Sequence, residues 1–405
     1  MRASTLGEVI DKWGGVIQTG PFGSQLHQHE YSEEGIPVVM PKDIRDGRVD
    51  ESGIARVADS KARQLSRHFL KPNSIVFPRR GEISKCAYIG EEQAGFLCGT
   101  GCLKIEPPEE QLRSKFLFYF LGLRQSVEWL ERNAVGTTML NLNTKILAGL
   151  KVPLLLPSRQ DEVVNILSAY DDLIENNRRR IQLLEESARL LYKEWFVHLR
   201  FPGHEHTKVI NGVPEGWERK TLGEVAKTNK QSVQAKELQA EINYIDIASV
   251  KQGRIVAKTA MPSDEAPGRA RRKASDGDVI WSNVRPNLRA YALVLSPEEN
   301  DVFSTGFTIL SPLEVPFTYL YLFATTDEFV GHLVNHTTGA SYPAVRAEDF
   351  ERAEILVPAS GILALFHEIA EPLFRMNHVL EKEVKALATA RDLLLPRLMN
   401  GEIGV

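Results

Sequence analysis

Residues 173–196 read LIENNRRRIQLLEESARLLYKEWF, and this stretch decides the fold. Its apolar residues continue a series that begins earlier and recurs mostly at spacings of three and four. The series consists of Val163, Ile166, Tyr170, Leu173, Ile181, Leu184, Ala188, Leu191 and Trp195. Such spacing is typical of the apolar seam of a coiled coil. Asn177 interrupts that seam with a polar side chain.

A second series with the same spacing lies near the end of the chain. It consists of Leu363, Phe366, Ala370, Leu373, Leu380, Val384, Leu387, Leu394 and Leu398, with Asn377 and Arg391 in its gaps. The sequence predicts two long helices that pair with each other. The pairing is expected to be antiparallel because each helix follows its own globular segment. A helix of about 35 residues at about 1.5 Å per residue spans roughly 50 Å.

The two interrupting asparagines, Asn177 and Asn377, are 200 residues apart and occupy matching places in the two series. A buried asparagine weakens a seam but disfavours registers that leave its amide unpaired. We interpret the pair as register marks, and whether the two side chains face each other tests this interpretation. The alternative is that both lie at the edge of the seam in contact with water.

The chain also repeats itself outside the helices, which indicates a tandem duplication. Thr5–Val9 and Thr221–Val225 share the sequence TLGEV. Later segments correspond in the same order: GTGCLKI (99–105) with STGFTIL (304–310), AVGTTMLNLN (134–143) with TTGASYPAVR (337–346), and LLLP (154–157) with ILVP (355–358).

Each repeat begins with about 150 residues of short apolar strands and Gly- or Pro-rich turns, then a long helix. The fold class is therefore mixed α+β, a tandem repeat of two β-rich domains separated by two long helices packed as an antiparallel coiled coil. The predicted boundaries are 1–157 for the first β-rich domain, 158–200 for a helical spacer, 201–217 for a linker, 218–358 for the second β-rich domain and 359–405 for the second spacer.

Composition places this chain of 405 residues among ordinary globular proteins, with 43% hydrophobic and 25% charged residues. A net charge of −4 argues against a protein coated in positive charge, although DNA binding depends on the local field of one face. The beginning of the sequence lacks the apolar run of a signal peptide. Only Cys86, Cys98 and Cys102 occur, so we expect no disulfide framework and a reducing, cytoplasmic location.

Motifs for catalysis are weak throughout. No GxxxxGK[ST] phosphate loop and no GxSxG elbow occurs, and Gly99-Thr100-Gly101 lacks the third glycine of a dinucleotide site. Cys98 and Cys102 are interpreted as a buried, inert pair rather than as metal ligands with His27 and His29, and no metal site is predicted. Glu383 and Lys385 are interpreted as surface charges. The sequence therefore favours a binding role without catalytic residues.

Polar and basic loops between the strands are the candidate binding sites, and they occur at similar places in both repeats. Arg, Lys, Asn, Gln and Ser contact phosphates and base edges, whereas the alternative for any single loop is a solvated turn. Two domains held apart on a spacer would suit two half-sites about 34–36 Å apart. The candidate DNA-binding residues are Gln25, Arg79, Arg80, Ser84, Lys85, Thr138 and Asn141 in the first repeat, and Arg285, Asn287, Arg289, Ser341, Tyr342 and Arg346 in the second.

Several of these segments together resemble the specificity subunits of type I restriction-modification systems. They are TGPFGSQL, YSEEGIPVVMPKDIRDG, FPRRGEISKCAYI, GFLCGTGCLKI, GTTMLNLNTKIL, DLIENNRRRIQLLEESARLLYKEWFV and LLLPRLMNGEI. The resemblance spans nearly the whole chain, but 220–350 matches only in outline. It implies a non-catalytic DNA-recognition subunit with two target-recognition domains joined by conserved helical spacers.

Partners and cofactors follow from the same resemblance. It implies double-stranded DNA as ligand, two methyltransferase subunits that methylate adenine, and translocating restriction subunits that act as the nuclease. S-adenosylmethionine, Mg²⁺ and ATP would belong to those partners and none to this chain. The docking surface would include Arg178, Arg179, Arg180, Tyr192, Trp195 and Phe196. Trp195 and Phe196 would alternatively cap the helix pair, and the chain would alternatively be a structural adaptor that binds protein or glycan.

Overall fold

The computed structural model describes residues 3–136, 139–339 and 342–403. It divides into two units. Unit 1 combines Met1–Ile174 with Lys385–Val405, and unit 2 is Glu175–Val384. We call the β-rich part of unit 1 (residues 3–156) head one and that of unit 2 (residues 218–358) head two. The central helix runs over Pro157–Tyr192 and is extended by a π-helical turn over Lys193–Val197. The C-terminal helix runs over Ser360–Met399, so each long helix contributes residues to both units.

Head one is built from short strands and five shorter helices within the described residues. A four-stranded sheet has the order Val16–Thr19, Cys102–Glu106, Ile75–Pro78 and Ala87–Tyr88, and a second has the order Leu97–Cys98, Ile36–Val39, Ala55–Val57 and Tyr31–Ser32. Two-stranded pairs join Ala3–Thr5 to Lys151–Pro153 and Ile44–Arg45 to Arg48–Val49. The helices are Leu6–Trp13, Asp59–Gln64, Ser114–Leu121, Arg124–Asn133 and Thr144–Gly149.

Head two repeats this plan. Its four-stranded sheet has the order Ala226–Thr228, Phe307–Pro312, Val279–Ser282 and Tyr291–Leu293, and a five-stranded sheet has the order Gln231–Ser232, Ala270–Lys273, Asp301–Ser304, Glu241–Ile245 and Thr259–Pro262. Two-stranded pairs join Glu218–Thr221 to Glu354–Val357, Val250–Lys251 to Arg254–Ile255 and, before the head, Val209–Ile210 to Val213–Pro214. The helices are Leu222–Val225, Phe317–Phe323, Asp327–Asn335 and Ala347–Glu351.

The shared TLGEV segment has the same local structure in both heads. Thr5 and Thr221 each begin a helix, and their backbone N–H groups donate to the carboxylates of Glu8 (2.9 Å) and Glu224 (2.6 Å). This reciprocal capping satisfies N–H groups that the first helical turn leaves free. The same motif thus starts the same element in each repeat, as the duplication predicts.

The two long helices pair in the antiparallel sense, and the predicted fold class is confirmed. In unit 2, Glu185 contacts Asn377, whereas the later residue Trp195 contacts the earlier residue Phe366, with ring centroids 5.8 Å apart. In unit 1, Asp171 pairs with Arg391 at 2.6 Å. Residue numbers therefore rise along one helix as those of their partners fall along the other, as in an antiparallel pair.

The two asparagines do not face each other. Asn177, only 6% exposed, donates from Nδ2 to Glu383 (3.1 Å), and Asn377 donates to Glu185 (3.2 Å). The predicted register marks are therefore corrected, because each amide has a glutamate of the other helix as its partner. The register places 177 opposite 383 and 377 opposite 185 instead of aligning equal positions of the repeat.

The first part of the predicted seam is also shifted by one residue. Leu173 is 51% exposed, whereas its neighbour Ile174 is buried at 3%. Leu167 likewise is fully buried where Ile166 was predicted to lie in the seam. A helix of 3.6 residues per turn drifts relative to a strict seven-residue repeat. At Ile166-Leu167 and Leu173-Ile174 the second of two adjoining apolar residues is therefore the more buried one, whereas Val163 is buried as predicted.

Each unit has its own main hydrophobic core, and residues of both long helices contribute to it. Tyr192, Trp195 and Phe196 are buried in the core of unit 2, where their rings contact Phe366 and Tyr319. The predicted docking role of these three residues is therefore corrected. Trp195 and Phe196 cap the helix pair, as the alternative interpretation expects, and Tyr192 packs with them inside the unit.

Within the described residues, none of the helices combines the length and apolar character needed to cross a membrane.

Candidate nucleic-acid interface

In head one, two loops are fixed side by side at the end of the strand Ile75–Pro78. The carbonyl of Arg79 accepts a hydrogen bond from the backbone N–H of Leu142 (2.8 Å), and the N–H of Gly81 donates to the carbonyl of Leu140 (3.1 Å). Backbone bonds carry this junction, so the loop side chains can change without disturbing it.

Head two has the same junction at the end of the strand Val279–Ser282. The carbonyl of Asn283 accepts from the N–H of Val345 (2.9 Å), and the N–H of Arg285 donates to the carbonyl of Pro343 (2.8 Å). Asn283 thus stands at the place of Arg79, and Arg285 at the place of Gly81.

Isolated strand bridges complete the common support. In head one Asn141 pairs with both Arg80 and Val135, and in head two Ala344 takes the place of Asn141 and pairs with Val284 and Thr338. Both repeats therefore build one loop support and display different side chains on it.

The loop that follows the strand Val16–Thr19 also reaches this junction. Its Phe22 is 50% exposed, and the guanidinium carbon of the half-buried Arg79 lies 5.5 Å from the ring centroid. Gln25 turns back and accepts a hydrogen bond from the N–H of Phe22 (3.1 Å). Phe22, Gln25 and Arg79 are therefore brought together, although Phe22 was not among the predicted residues.

The other predicted residues of head one differ in side-chain exposure and in whether they are already paired. Arg80 is exposed and Asn141 is half-buried beside it. Ser84 is half-buried, while Lys85 forms an ion pair with Glu82 in the same loop. The pairing reduces the charge that Lys85 can offer to a ligand.

In head two, Arg285 and Tyr342 lie together. The guanidinium carbon of Arg285 lies 5.2 Å from the ring centroid of Tyr342, and that ring is 64% exposed. Asn287 is exposed on the next turn. Arg289 forms an ion pair with Asp327 at 2.5 Å, which reduces the charge that it can offer to a ligand.

Arg346 stands at the start of the short helix Ala347–Glu351. Its side chain is exposed, and its backbone N–H donates to Asp349 (2.8 Å). Thr138 and Ser341, the remaining predicted residues, lie outside the described residues.

The missed Phe22 does have a sequence signal. The segment GPFGS places one aromatic residue between proline and glycine in a turn, where no core is expected. A large apolar side chain in such a turn indicates contact with a ligand more than packing.

A metal-based interpretation finds no geometric support. Within the described ranges, no three His, Cys, Asp or Glu side chains are grouped so that they could hold a metal ion. The three cysteines are buried as free thiols, and burial raises the pKa of Cys86 and Cys98 to about 12. Thiols with such pKa values are poor nucleophiles and poor ligands at neutral pH.

The groups displayed at both loop supports are guanidinium ions, amides and aromatic rings. Guanidinium and amide donors bind phosphates and base edges, and rings stack on bases or support arginines. Both supports are therefore suited to nucleic acid.

Comparison with known proteins agrees with this chemistry. Residues 14–186 match the sequence family described as the type I restriction modification DNA specificity domain. The chain is 23% identical over 387 residues to the type I restriction enzyme MjaIX specificity subunit of Methanocaldococcus jannaschii, covering 93% of this chain and 88% of that protein. It is 21% identical to the HindI specificity subunit of Haemophilus influenzae, covering 78% and 83% of the two chains.

Among solved structures, the crystal structure of the type I restriction-modification system S subunit from M. genitalium has a similar fold. The TM-score is 0.61 at 18% sequence identity, and the match covers 98% of this chain and 95% of that one.

Proposed function

We propose that the chain is a DNA specificity subunit of a type I restriction-modification system, as the matching family and the similar curated subunits support, and that it recognises a bipartite, asymmetric DNA sequence. Head one would contact one half-site and head two the other. The chain itself would be non-catalytic and would bring a methyltransferase to the site.

The observation that carries this proposal is the repeated loop support with different side chains. Equivalent backbone bonds hold Arg79 in head one and Asn283 in head two, and Gly81 in head one is replaced by Arg285. A common support indicates that both heads bind the same kind of ligand. Different side chains indicate that they read different sequences, which makes the target asymmetric.

The test uses the helical spacer as a ruler. Four residues are inserted after Ile181, a seam residue of the central helix that is 6% exposed. We expect the number of base pairs between the half-sites to change, while both half-site sequences stay the same. Methylome sequencing of cells that express the variant with its methyltransferase partner measures both. A changed half-site sequence would contradict the proposal. An unchanged gap would show that the spacer does not set the distance between the half-sites.

The helix pair of unit 2 offers a docking surface for methyltransferase subunits. Glu185 and Glu381 line a cavity of about 40 Å³ with Gly253 and Tyr321 of head two, so that side of the pair is covered. In an antiparallel pair, the positions that flank the seam on the other side also adjoin each other.

Exposed apolar residues collect on that other side. On the central helix they recur every seven residues, and on the C-terminal helix they follow at spacings of four, seven and three. They are Leu183, Leu190 and Val197, and Leu365, Ile369, Met376 and Val379, each 38–62% exposed. An apolar stripe of this kind favours a partner with amphipathic helices. The triad Arg178–Arg180 is exposed on the same helix and would flank it.

Leu190→Lys tests this surface, with Gln182→Lys as the matched control on an exposed part of the same helix. We expect Leu190→Lys to weaken the complex with the methyltransferase at least tenfold, since burial of a lysine in an apolar contact is unfavourable. Titration of the purified partner, followed by light scattering, measures the affinity. Equal affinities of the two variants would show that the stripe is not the docking surface.

S-adenosylmethionine would bind to the methyltransferase subunits, and ATP and Mg²⁺ to restriction subunits that join them. In this scheme the chain recognises the DNA sequence, and its partners catalyse the reactions.

A further inference from the structure

One arrangement occurs in both heads although the sequence builds it from different positions. Arg79 lies over Phe22, and Arg285 lies over Tyr342, at 5.5 and 5.2 Å from the ring centroids. Arg79 corresponds to Asn283 in head two, and Arg285 corresponds to Gly81 in head one. The arginines are thus not equivalent residues of the repeat.

The rings are not equivalent either. Phe22 comes from the loop after the strand Val16–Thr19, whereas Tyr342 comes from the loop before the helix Ala347–Glu351. A duplication alone cannot account for the shared pair, because neither of its members was copied. The pair therefore indicates a common requirement of the two sites.

Backbone conformation supports the same conclusion in head two. Arg285 has φ +49°, in the left-handed region, where head one has Gly81 with φ +84°. Glycine adopts this conformation without steric conflict, and arginine does not. Such local strain persists where the surrounding structure requires it, which is common at binding sites.

Both arginines also remain available to a ligand. Among the residues that the structure describes, no carboxylate forms an ion pair with Arg79 or Arg285, in contrast to Arg289, which is bound to Asp327. The Nε of Arg79 is shielded from solvent and has no acceptor within the described part of the chain, so the ring contact holds this side chain.

Contact with a ring fixes the plane of a guanidinium and leaves donors free at its edge. A phosphate accepts hydrogen bonds from many directions and does not require a fixed plane. A guanine does, because its O6 and N7 acceptors lie side by side in the plane of the base and match the two-pronged guanidinium.

We propose that Arg79 and Arg285 each read a guanine in the major groove of their own half-site, and that Phe22 and Tyr342 are positioning residues that orient them. This inference rests on the proposed function, since it assumes that each head binds DNA. It identifies one G·C pair in each half-site that depends on one arginine.

The experiment combines protein and DNA changes. The complex of the full chain with its methyltransferase is titrated with duplexes in which each half-site base pair is replaced in turn. For the unchanged protein, replacing the recognised G·C pair should weaken binding roughly 5- to 150-fold. With Arg285→Gly this penalty should vanish at one position and persist at the others, and Arg79→Gln should do the same in the other half-site.

Arg285→Gly also separates recognition from folding. Because glycine relieves the left-handed conformation, the midpoint of thermal unfolding should not fall. Arg219→Ala, which removes an exposed arginine from the strand Glu218–Thr221, is the matched control and should leave every penalty unchanged.

The positioning role has its own readout. Tyr342→Leu keeps Arg285 and removes the ring, so the penalty at the same G·C pair should shrink about two- to fivefold. Tyr342→Phe keeps the ring and should restore the full penalty. For Arg79, Phe22→Leu should likewise reduce the penalty and Phe22→Tyr should preserve it.

Two outcomes would overturn the inference. One is that Arg285→Gly and Arg79→Gln keep the full penalty at every G·C pair. The other is that they weaken all duplexes equally, as loss of a phosphate contact would. A complex of the unchanged protein that prefers no sequence at all would instead refute the proposed function itself.

Discussion

The two units hold their paired helices together by different chemistry. In unit 2, Phe366 of the C-terminal helix is fully buried among rings of the central helix and its extension. Its ring centroid lies 6.3 Å from Tyr192, 5.8 Å from Trp195 and 4.8 Å from Phe196. Tyr319 of head two packs on the same Phe196 at 4.8 Å. This contact is aromatic throughout.

In unit 1 the paired helices share an aliphatic core, with Val163 and Leu167 on one helix and Leu395 and Leu398 on the other, and a polar junction adjoins it. Asp171 of the central helix accepts hydrogen bonds from Tyr119 of head one (2.5 Å) and from Arg391 of the C-terminal helix (2.6 Å). Tyr119 and Tyr319 are 200 residues apart and lie on corresponding helices, Ser114–Leu121 and Phe317–Phe323. They stand at different positions of those helices, the sixth and the third residue, so each unit uses a tyrosine of its own, at an ionic junction in one and an aromatic junction in the other.

The difference shows which features a duplication retains. Strand order, capped helix starts and loop supports are kept because they depend on backbone hydrogen bonds and short motifs. The junctions between heads and helices have changed because several combinations of side chains fill the same space. The energy of each junction should change accordingly.

The largest expected effect follows from the aromatic junction. Phe366→Ala removes a fully buried ring and should lower the free energy of unfolding of unit 2 by about 3–5 kcal/mol. The matched change in unit 1, Ile166→Ala, affects a half-buried side chain and should have less than half that effect. Urea unfolding followed by tryptophan fluorescence measures both. Equal losses would mean that the aromatic cluster contributes no more than an ordinary seam residue.

The polar junction should be weaker. Asp171→Ala leaves Arg391 and Tyr119 without their common acceptor, and should destabilise unit 1 by about 1–3 kcal/mol. Arg391 is 30% exposed in its side chain and Asp171 is 19%, so water reduces the effect. Asp171→Asn keeps an acceptor for Tyr119 and should lower the free energy of unfolding by less. A loss under about 0.5 kcal/mol for Asp171→Ala, typical of exposed ion pairs, would show that this junction is not needed.

Periodicity allowed the sequence to predict the two helices, and recurring segments indicated the duplication. The antiparallel pairing was predicted because each helix follows its own globular segment. Seam spacing depends only on local geometry, and TLGEV specifies its own helix start. The same local information could not choose between Leu173 and Ile174, because both are apolar and adjacent. It also could not assign Trp195 and Phe196 to a core, because their partner Phe366 is remote in sequence.

The candidate site was predicted in part for a related reason. Arg79, Arg80 and Asn141 lie in loops that occur at corresponding places in both repeats. The structure brings these three residues together. The pair of Arg79 with Phe22 joins two segments more than fifty residues apart. Only the folded sheet brings such segments together, so the role of Phe22 becomes visible in the structure.

The smallest expected effect concerns the two asparagines. Both asparagines donate to a glutamate of the other helix, but Asn377 also has a shielded Oδ1 without a hydrogen-bond partner in the described part of the chain. Asn377→Leu should therefore raise the free energy of unfolding of unit 2 by about 1 kcal/mol, because an unsatisfied acceptor leaves the interior. Asn177→Leu should be close to neutral, since added apolar burial offsets a lost hydrogen bond to a carboxylate. Urea unfolding distinguishes the two changes. An equal gain from both would mean that the bond from Asn177 to Glu383 contributes nothing to stability.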